Sequence, residues 1–301
     1  MATYPSPRGP EWPTLALILA TYAAWGGGVA FLSAISPWLG VPVVAVILTL
    51  HSSLQHEVIH GHPLPSRRLS EALVFPPLGI VVPYARFRDT HLAHHQDADL
   101  TDPYDDPETN YLDPALWSRL SRPARAVLCA NNTLLGRVTL GPAIGTFVFV
   151  RDDLLRIRAG DRTLLGIWAR HAIAAAAVLG FVAAFTAMPV SAYLLACYLA
   201  LSVLKIRTYL EHQAHERARG RSVIIEDRGP LAFLFLNNNL HAVHHAHPQA
   251  PWYRLPALYA ERREEWLRRN LGYRYDSYGE ILRRHLLRRK DPVPHPLWPQ
   301  E

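Results

Sequence analysis

The sequence has few cysteines, and it lacks several motifs that carry common chemistries. Only two of its 301 residues are cysteines, Cys129 and Cys197, and they form no C-x-x-C pair. The sequence therefore suggests neither a disulfide framework nor an iron–sulfur or zinc–thiolate site. It contains no phosphate-binding glycine loop and no Ser-His-Asp nucleophile motif. The proline-rich residues 1–11 lack the pattern and cleavage site of a signal peptide, so we expect the first apolar run to be retained.

Charge is nearly absent from four long stretches of the chain. Hydrophobic residues make up 50% of the sequence and charged residues 19%, and the two classes are segregated. Each stretch has about the 20 residues that a helix needs to cross a bilayer. We predict one all-α integral membrane domain, residues 1–301, with four transmembrane helices in two hairpins, interfacial helices and a helical cap that carries the histidines. The predicted spans are residues 12–35, 39–60, 164–187 and 190–210, and the predicted cap is residues 61–163 and 211–301.

The basic residues predict which side of the membrane each connection faces. The turns at 36–38 and 188–189 carry no lysine or arginine, whereas the other connections are rich in them. By the positive-inside rule, both termini and all the histidine clusters are cytoplasmic in this multi-pass topology. The net charge of +6 could favour nucleic acid, anionic lipid or an acidic protein. The long apolar runs favour the last two, and no nucleic-acid partner is expected.

Several parts of the cap have compositions that predict their structure. The apolar residues 73–82 are too short and too proline-broken for a span, so we expect an interfacial or re-entrant segment. Residues 97–113 are acidic and proline-rich, which is typical of a loop. Residues 116–161 mix arginine with apolar residues, as amphipathic helices at a membrane surface do. Two more amphipathic helices are predicted at 261–266 and 281–290; their arginines are either a solvated face or a dock for anionic lipid or an acidic electron-transfer protein.

Histidine is the residue that is unusually concentrated. Of 16 histidines, only His171, His285 and His295 stand apart from four clusters. One cluster has i, i+4 spacing, and two have i, i+3, i+4 spacing, which places three imidazoles on one helix face. So many nitrogen ligands exceed the needs of one tetrahedral zinc and suit two metals with open positions, and iron, copper or zinc would all fit. The predicted ligands are His56, His60, His91, His94, His95, His212, His241, His244 and His245.

Other polar residues lie near the clusters, and each could bind metal or have a structural role. His62, His215 and His247 lie two or three places beyond predicted ligands and are additional candidates. His51 lies deeper in a span, and we interpret His171 as structural or interfacial. A ligating histidine usually passes its second N–H to a carboxylate or carbonyl group. The residues placed for that role could equally be caps or turn residues. They are Glu57, Asp97, Asp99, Asp102, Glu211, Asn237, Asn238 and Asn239.

Three stretches in order carry a resemblance to a known family. They are HEVIHGHP, THLAHHQDADLTDP and NNNLHAVHHAHP, and with the spans they cover about residues 40–256. The chain resembles the membrane fatty acid desaturase and hydroxylase superfamily. The sequences of the three stretches are most similar to those of a bacterial fatty acid desaturase branch. The resemblance implies two non-haem iron ions on the nine histidines, with His212 as the extra ligand on the fourth span. Some desaturases have asparagine one turn before that ligand, where this chain has Thr208.

The resemblance also implies an activity. It implies an O2-dependent desaturase of the bacterial inner membrane that introduces a double bond into an acyl or related alkyl chain. We find no appended redox domain in the sequence, so a separate ferredoxin-like or similar electron donor is expected. A hydroxylase or ketolase acting on a lipid, a carotenoid or a small amino-acid-derived metabolite would share the ligand set and remains the alternative. A hydrolytic zinc enzyme and a metal carrier are the other classes considered.

Overall fold

The computed structural model describes residues 9–96 and 99–298 of the chain. The chain forms two compact units. Unit 1 comprises Met1–Arg88 and Pro142–Val203, and unit 2 comprises Asp89–Gly141 and Leu204–Glu301. The single-domain reading of the sequence stays a prediction.

The described residues are mostly helical. The helices of the first half are α1 (Trp12–Gly27), a π-helical turn (Gly28–Leu32), α2 (Ser33–Ile35), α3 (Pro37–Ile59), α4 (Arg67–Val74), α5 (Tyr84–Gln96), α6 (Pro114–Arg119), α7 (Arg122–Asn131), α8 (Leu134–Thr139) and α9 (Gly141–Arg158). The second half has α10 (Arg162–Phe185), α11 (Val190–Thr208), a 3₁₀ turn (Ala218–Gly220), strand β1 (Ile224–Ile225), α12 (Pro230–Leu234), α13 (His241–Ala246), α14 (Leu255–Glu261), α15 (Arg263–Arg269), strand β2 (Arg274–Tyr275) and α16 (Tyr278–His285).

Four helical segments are long and apolar enough to cross a membrane, which confirms the predicted helical membrane fold class, whereas the arrangement in two hairpins stays a prediction. They are Trp12–Ile35, Pro37–Ile59, Arg162–Phe185 and Val190–Thr208. Local chemistry defines two of their starts. The Ser36 side chain accepts the N–H of Trp38 at the start of α3, and the Asp161 side chain accepts the N–H of Leu164 at the start of α10. Each observed segment begins and ends within about two residues of the predicted limits.

The core of unit 1 joins the spans. Its buried side chains come from the π-helical turn, α3, α10 and α11, and they include Val44, Val182 and Tyr193. A Cβ on Gly28 would lie 2.9 Å from the Val44 side chain, whereas one on Gly26 would meet nothing within 4 Å. Glycine permits close approach of a neighbouring helix, and in this segment the close contact depends on Gly28.

A non-helical segment lies between α4 and α5 in unit 1. Two of its backbone carbonyls are satisfied by polar side chains of the spans. The Tyr193 hydroxyl donates to the carbonyl of Leu78 at 2.6 Å, and Nε2 of His171 lies 2.8 Å from the carbonyl of Ile80. Such pairing is what irregular backbone at membrane depth requires. It also gives His171 the structural contact that its isolation in the sequence suggested.

Unit 2 contains the short helices of the cap and one element that the all-α prediction did not include. Strands β1 and β2 pair in parallel, with Ile224 opposite Arg274 and Ile225 opposite Tyr275. The predicted helix at 281–290 is too long at its C-terminal end, because α16 begins at Tyr278 and ends at His285. The predicted loop at 97–113 has no helix over its described residues, 99–113.

Candidate metal centre

Unit 2 brings four histidines from three parts of the chain to one point. We call His94, His212, His241 and His245 the four-histidine group. Their ligand atoms lie within 4.8 Å of one another. Nε2 of His212 lies 2.9 Å from Nε2 of His94 and 3.0 Å from Nε2 of His241. Nε2 of His245 lies 3.1 Å from Nε2 of His241.

A second set in unit 2 consists of His91, His95 and His244, here the three-histidine group. Their ligand atoms also lie within 4.8 Å of one another. Nε2 of His244 is 3.2 Å from Nε2 of His95, and the rings of His91 and His95 meet edge to face with centroids 4.5 Å apart. Seven of the nine predicted ligands therefore converge in two groups within one unit.

Local structure explains how these side chains are positioned. His91, His94 and His95 lie on the last two turns of α5, and α13 begins at His241, so both helices present imidazoles at i, i+3 and i+4. Before α13 the chain turns sharply, with positive φ at Leu236 and Asn237. His212 follows the end of α11 and is fixed by a backbone bridge to Ser222.

Carboxylates orient two of the imidazoles. Nδ1 of His94 lies 2.7 Å from a carboxylate oxygen of Asp106, and Nδ1 of His91 lies 3.0 Å from Glu108. A carboxylate only accepts hydrogen bonds, so the hydrogen is on Nδ1 of each ring. Nε2 is then left with a lone pair that points into its histidine group, which is the arrangement found around metal-bound histidines.

An amide relay does the same for His241. Asn238 donates through Nδ2 to Glu211 at 2.9 Å, so its Oδ1 faces Nδ1 of His241 at 3.2 Å. Arg207 holds Glu211 at 3.1 Å, and the three residues Arg207, Glu211 and Asn238 are buried. The Glu211 contact thereby fixes the amide orientation, which fixes the hydrogen of His241 on Nδ1.

These partners make the four-histidine group suitable for a cation. The lone pairs of His94 and His241 both point at Nε2 of His212, which in a neutral ring has at most one hydrogen to share between them. Nitrogen lone pairs about 3 Å apart repel one another unless a positive charge lies between them. Four nitrogen ligands without a thiolate match first-row transition metals such as iron, copper and zinc.

The pKa shifts of the grouped histidines agree with metal binding. Desolvation by burial, reinforced by neighbouring imidazoles, lowers the pKa of His212, His241 and His245 well below the usual value. The same causes lower the pKa of His95 to about 3. These rings are therefore neutral near pH 7, the form that binds metal. For His94, desolvation is outweighed by the hydrogen bond to Asp106 and nearby carboxylates, which raise its pKa, so the negative surroundings favour a cation there.

The remaining histidines have other contacts. Nδ1 of His62 lies 2.8 Å from Glu11, Nδ1 of His215 accepts the backbone N–H of Arg217, and the ring of His247 packs edge-on against Trp266. His51 meets the ring of Tyr22 edge-on. In the described part of the chain, the grouped metal-ligand candidates include none of these four histidines.

Of the carboxylates placed beside the clusters from sequence, Glu211 supports a ligand through Asn238. Asp102 caps its own turn by accepting backbone N–H groups, Asp99 pairs with Arg221 at 3.5 Å, and Glu57 lies 3.8 Å from His62. Asp97 lies outside the described residues. Of the three asparagines, Asn238 contacts a ligand, whereas Asn237 and Asn239 donate to backbone carbonyls.

Sequence reasoning missed Asp106 and Glu108. Both lie in the acidic loop, 12 residues beyond His94 and 17 beyond His91. The available signal was a pair of carboxylates two residues apart in Asp-Pro-Glu, but the same loop contains many other carboxylates. His56 and His60 are in unit 1, at the end of α3, with ring centroids 4.9 Å apart. Their role as ligands stays a prediction.

Comparison with known proteins identifies the family. The model of the fatty acid desaturase family matches residues 33–277, which is most of the chain. The chain belongs to the fatty acid desaturase family, and this membership implies an oxidoreductase. No curated protein matches the chain significantly.

Proposed function

We propose that this protein is an O2-dependent, di-iron membrane desaturase that introduces a double bond into an acyl or related alkyl chain. Family membership supports the reaction class. The observation that carries the proposal is the four-histidine group, in which Asp106 and the Asn238–Glu211 relay direct the lone pairs of His94 and His241 into the group. A structural metal would not require a second, adjacent set of nitrogen ligands.

The ligand sets suggest how two ions would be held. The four-histidine group would hold one iron, and the three-histidine group would hold the other. On the sequence spacing alone, we also include His56 and His60 in the proposed ligand set. Bound iron would supply O2 activation for oxidation of an unactivated C–H bond. The carboxylates and the amide relay keep Nε2 of His91, His94 and His241 unprotonated and hold these rings in position. Their neutral state also makes metal release the expected response to acid.

Electron balance requires a partner. Forming one alkene removes two electrons and two protons from the substrate, whereas reduction of O2 to two waters takes four of each. A donor must supply the other two electrons, and the other two protons come from water. We propose a separate acidic, ferredoxin-like protein that docks on the exposed Arg283 and Arg284 of α16.

Charge reversal tests the dock. Arg283→Glu with Arg284→Glu should reduce donor-dependent turnover at least about tenfold at low ionic strength, with the difference shrinking as salt is added. The matched control reverses Arg217 and Arg219, which are also exposed in unit 2. Equal turnover of the two double variants would remove the proposed dock while leaving the chemistry untouched.

The proposed location follows from charge and from the predicted spans. Both termini and the histidines would lie on the cytoplasmic side of a bacterial inner membrane. Cysteine labelling with a membrane-impermeant reagent checks the topology. Positions 37 and 189, in the two uncharged turns, should label from outside, and position 217 should not.

Lipid and metabolite profiling tests the reaction itself. The chain is expressed in a host of known lipid composition beside His245→Ala, with His215→Ala as the histidine control outside both groups. The expected result is a product two hydrogens lighter than its precursor in the wild type and the control, absent in His245→Ala, with iron in the purified protein. A product that gains one oxygen would instead favour a hydroxylase. Zinc in place of iron with O2-independent activity would contradict the proposal.

A further inference from the structure

His212 is the member of the four-histidine group that lies outside the helices. His94 lies in α5, and His241 and His245 lie in α13, so helical geometry positions their imidazoles. His212 follows the end of α11, yet its Nε2 lies 2.9 and 3.0 Å from the corresponding atoms of His94 and His241. The position of this ring therefore depends on the contacts that hold the backbone around it.

Two side chains bond to the backbone at and just after His212. Lys290 donates from Nζ to the carbonyl oxygen of His212 at 2.5 Å, and the hydroxyl of Tyr111 accepts the N–H of Ala214 at 2.9 Å. The Lys290 side chain is 5% exposed and Tyr111 is 3% exposed, so water does not readily replace either contact. Leaving a buried donor or acceptor unpaired costs its desolvation free energy, and these bonds therefore resist movement of the backbone.

Asp291 links the two side chains. Its carboxylate accepts a hydrogen bond from the hydroxyl of Tyr111, and Oδ2 lies 3.8 Å from Nζ of Lys290. Because the Tyr111 hydrogen is used on this carboxylate, the lone pairs of the hydroxyl are left to accept the N–H of Ala214. The backbone carbonyl of Asp291 in turn accepts the side-chain amide of Asn132 at 2.7 Å, which ties the segment to the end of α7.

The basic run after α16 is not uniform in exposure. Arg288 and Arg289 are exposed, whereas the side chain of Lys290 is turned inward. Burying an ammonium group is costly unless it is paired and hydrogen-bonded. Lys290 has both kinds of partner, a carboxylate and the carbonyl of a predicted ligand. It is therefore not part of a solvated basic face.

We propose that Lys290 and Tyr111, linked through Asp291, are positioning residues that fix His212 for metal binding. They act through the backbone of residues 212–214. The inference rests on the proposed function in one respect, which is that a metal ion occupies the four-histidine group. Partners behind a ligand typically change metal affinity about 10- to 100-fold, and a contact that acts through the backbone should give the lower value. The three-histidine group should be unaffected, because its members lie on α5 and α13.

The test compares two variants with the wild type as full-length protein in lipid nanodiscs. Tyr111→Phe removes the hydroxyl and Lys290→Met removes the ammonium group, each with little change of shape. Iron-loaded protein is titrated anaerobically with a chelator of known affinity, and Mössbauer spectra of the retained iron follow each ion. His212→Ala identifies the release step and the spectral component that belong to the four-histidine group.

Tyr259→Phe is the matched control. Tyr259 is also buried in unit 2, and its hydroxyl also donates to a carboxylate, that of Glu226, at 2.6 Å. Both tyrosine variants should lower the melting temperature of the metal-free protein by a similar amount. Tyr111→Phe and Lys290→Met should release the ion of the four-histidine group at about tenfold lower chelator activity and alter its spectrum, with the other ion unchanged. Tyr259→Phe should match the wild type in both measurements.

Three outcomes would contradict the inference. A release curve of either variant that coincides with that of the wild type would overturn the role of that residue. Equally early release of both ions would indicate general destabilisation and would overturn the positioning of His212. Wild-type protein that retains no iron at either group would overturn the proposed function together with this inference, whereas the first two outcomes leave the proposed function standing.

Discussion

Asp106 provides the sharpest test of the candidate metal centre, because each of its oxygens has a defined partner. One oxygen, Oδ1, accepts from Nδ1 of His94 at 2.7 Å and from the backbone N–H of Glu108 at 2.9 Å. The other, Oδ2, accepts the backbone N–H of Thr101 at 2.8 Å. The side chain is 2% exposed, so water cannot replace a lost partner without rearrangement.

The Asp106→Asn substitution keeps the shape and changes the hydrogen bonding. An amide has one accepting oxygen, whereas this site requires acceptors at both positions. If the amide NH2 faces Thr101, two donors oppose each other; if it faces His94, the ring loses its partner for Nδ1. Loss of such a partner typically costs about 10- to 100-fold in metal affinity. We expect a loss of that size at the four-histidine group, with little change at the three-histidine group.

Chelator competition measures the effect. Wild-type protein and Asp106→Asn are loaded with iron, then titrated with a chelator of known affinity while bound metal is counted. The variant should release one ion at about 10- to 100-fold lower chelator activity than the wild type, and the second ion at about the same chelator activity as the wild type. Asp105→Asn, an exposed neighbour, is the control. Identical release curves for wild type and Asp106→Asn would refute the orienting role and weaken the lone-pair argument.

Two further predictions concern folding. Gly28→Leu should sharply reduce the folded yield in detergent, because even a Cβ at this position would lie 2.9 Å from the Val44 side chain. Gly26→Leu should be tolerated, and equal yields of the two variants would contradict a close helix contact at Gly28. Hydrogen bonding, led by Arg263, lowers the pKa of Glu226 from 4.5 to about 2, so its stabilisation is present above pH 4.5 and is lost as pH falls towards 2. Glu226→Gln should therefore lower the melting temperature by about 2 °C at pH 7, and the difference from wild type should vanish in acid; a difference independent of pH would contradict it.

The spans were predictable because their signal is local and strong. A helix that crosses lipid must be long and nearly free of charge, and that condition is visible in the sequence itself. The observed limits, such as Pro37–Ile59 against the predicted 39–60, differ by one or two residues because caps, not hydropathy, set the ends. The convergence of the histidines was also predictable, because burying so many polar rings without a shared ligand would cost free energy.

The partners of those histidines were not predictable in the same way. Asp106 and Glu108 reach their rings through the fold of an irregular acidic loop, and nothing in its composition distinguishes them from Asp99 or Asp102. The two-residue strands β1 and β2 form through pairing across 50 residues, which leaves no pattern in either segment. Helix α16 ends at His285 although the arginine-rich pattern continues, because tertiary contacts decide where a marginal helix stops.

The repeated H-x-x-H-H spacing does more than place three imidazoles on one helix face, because it divides the histidines of each helix between the two groups. Helix α5 contributes His94 to the four-histidine group and the i, i+4 pair His91 and His95 to the three-histidine group. Helix α13 does the reverse, giving the pair His241 and His245 to the four-histidine group and the single His244 to the other. Each helix thus contributes to both groups. A shift of either helix would disturb both groups together. The repeated motif in the sequence therefore reflects two histidine groups that depend on the same two helices.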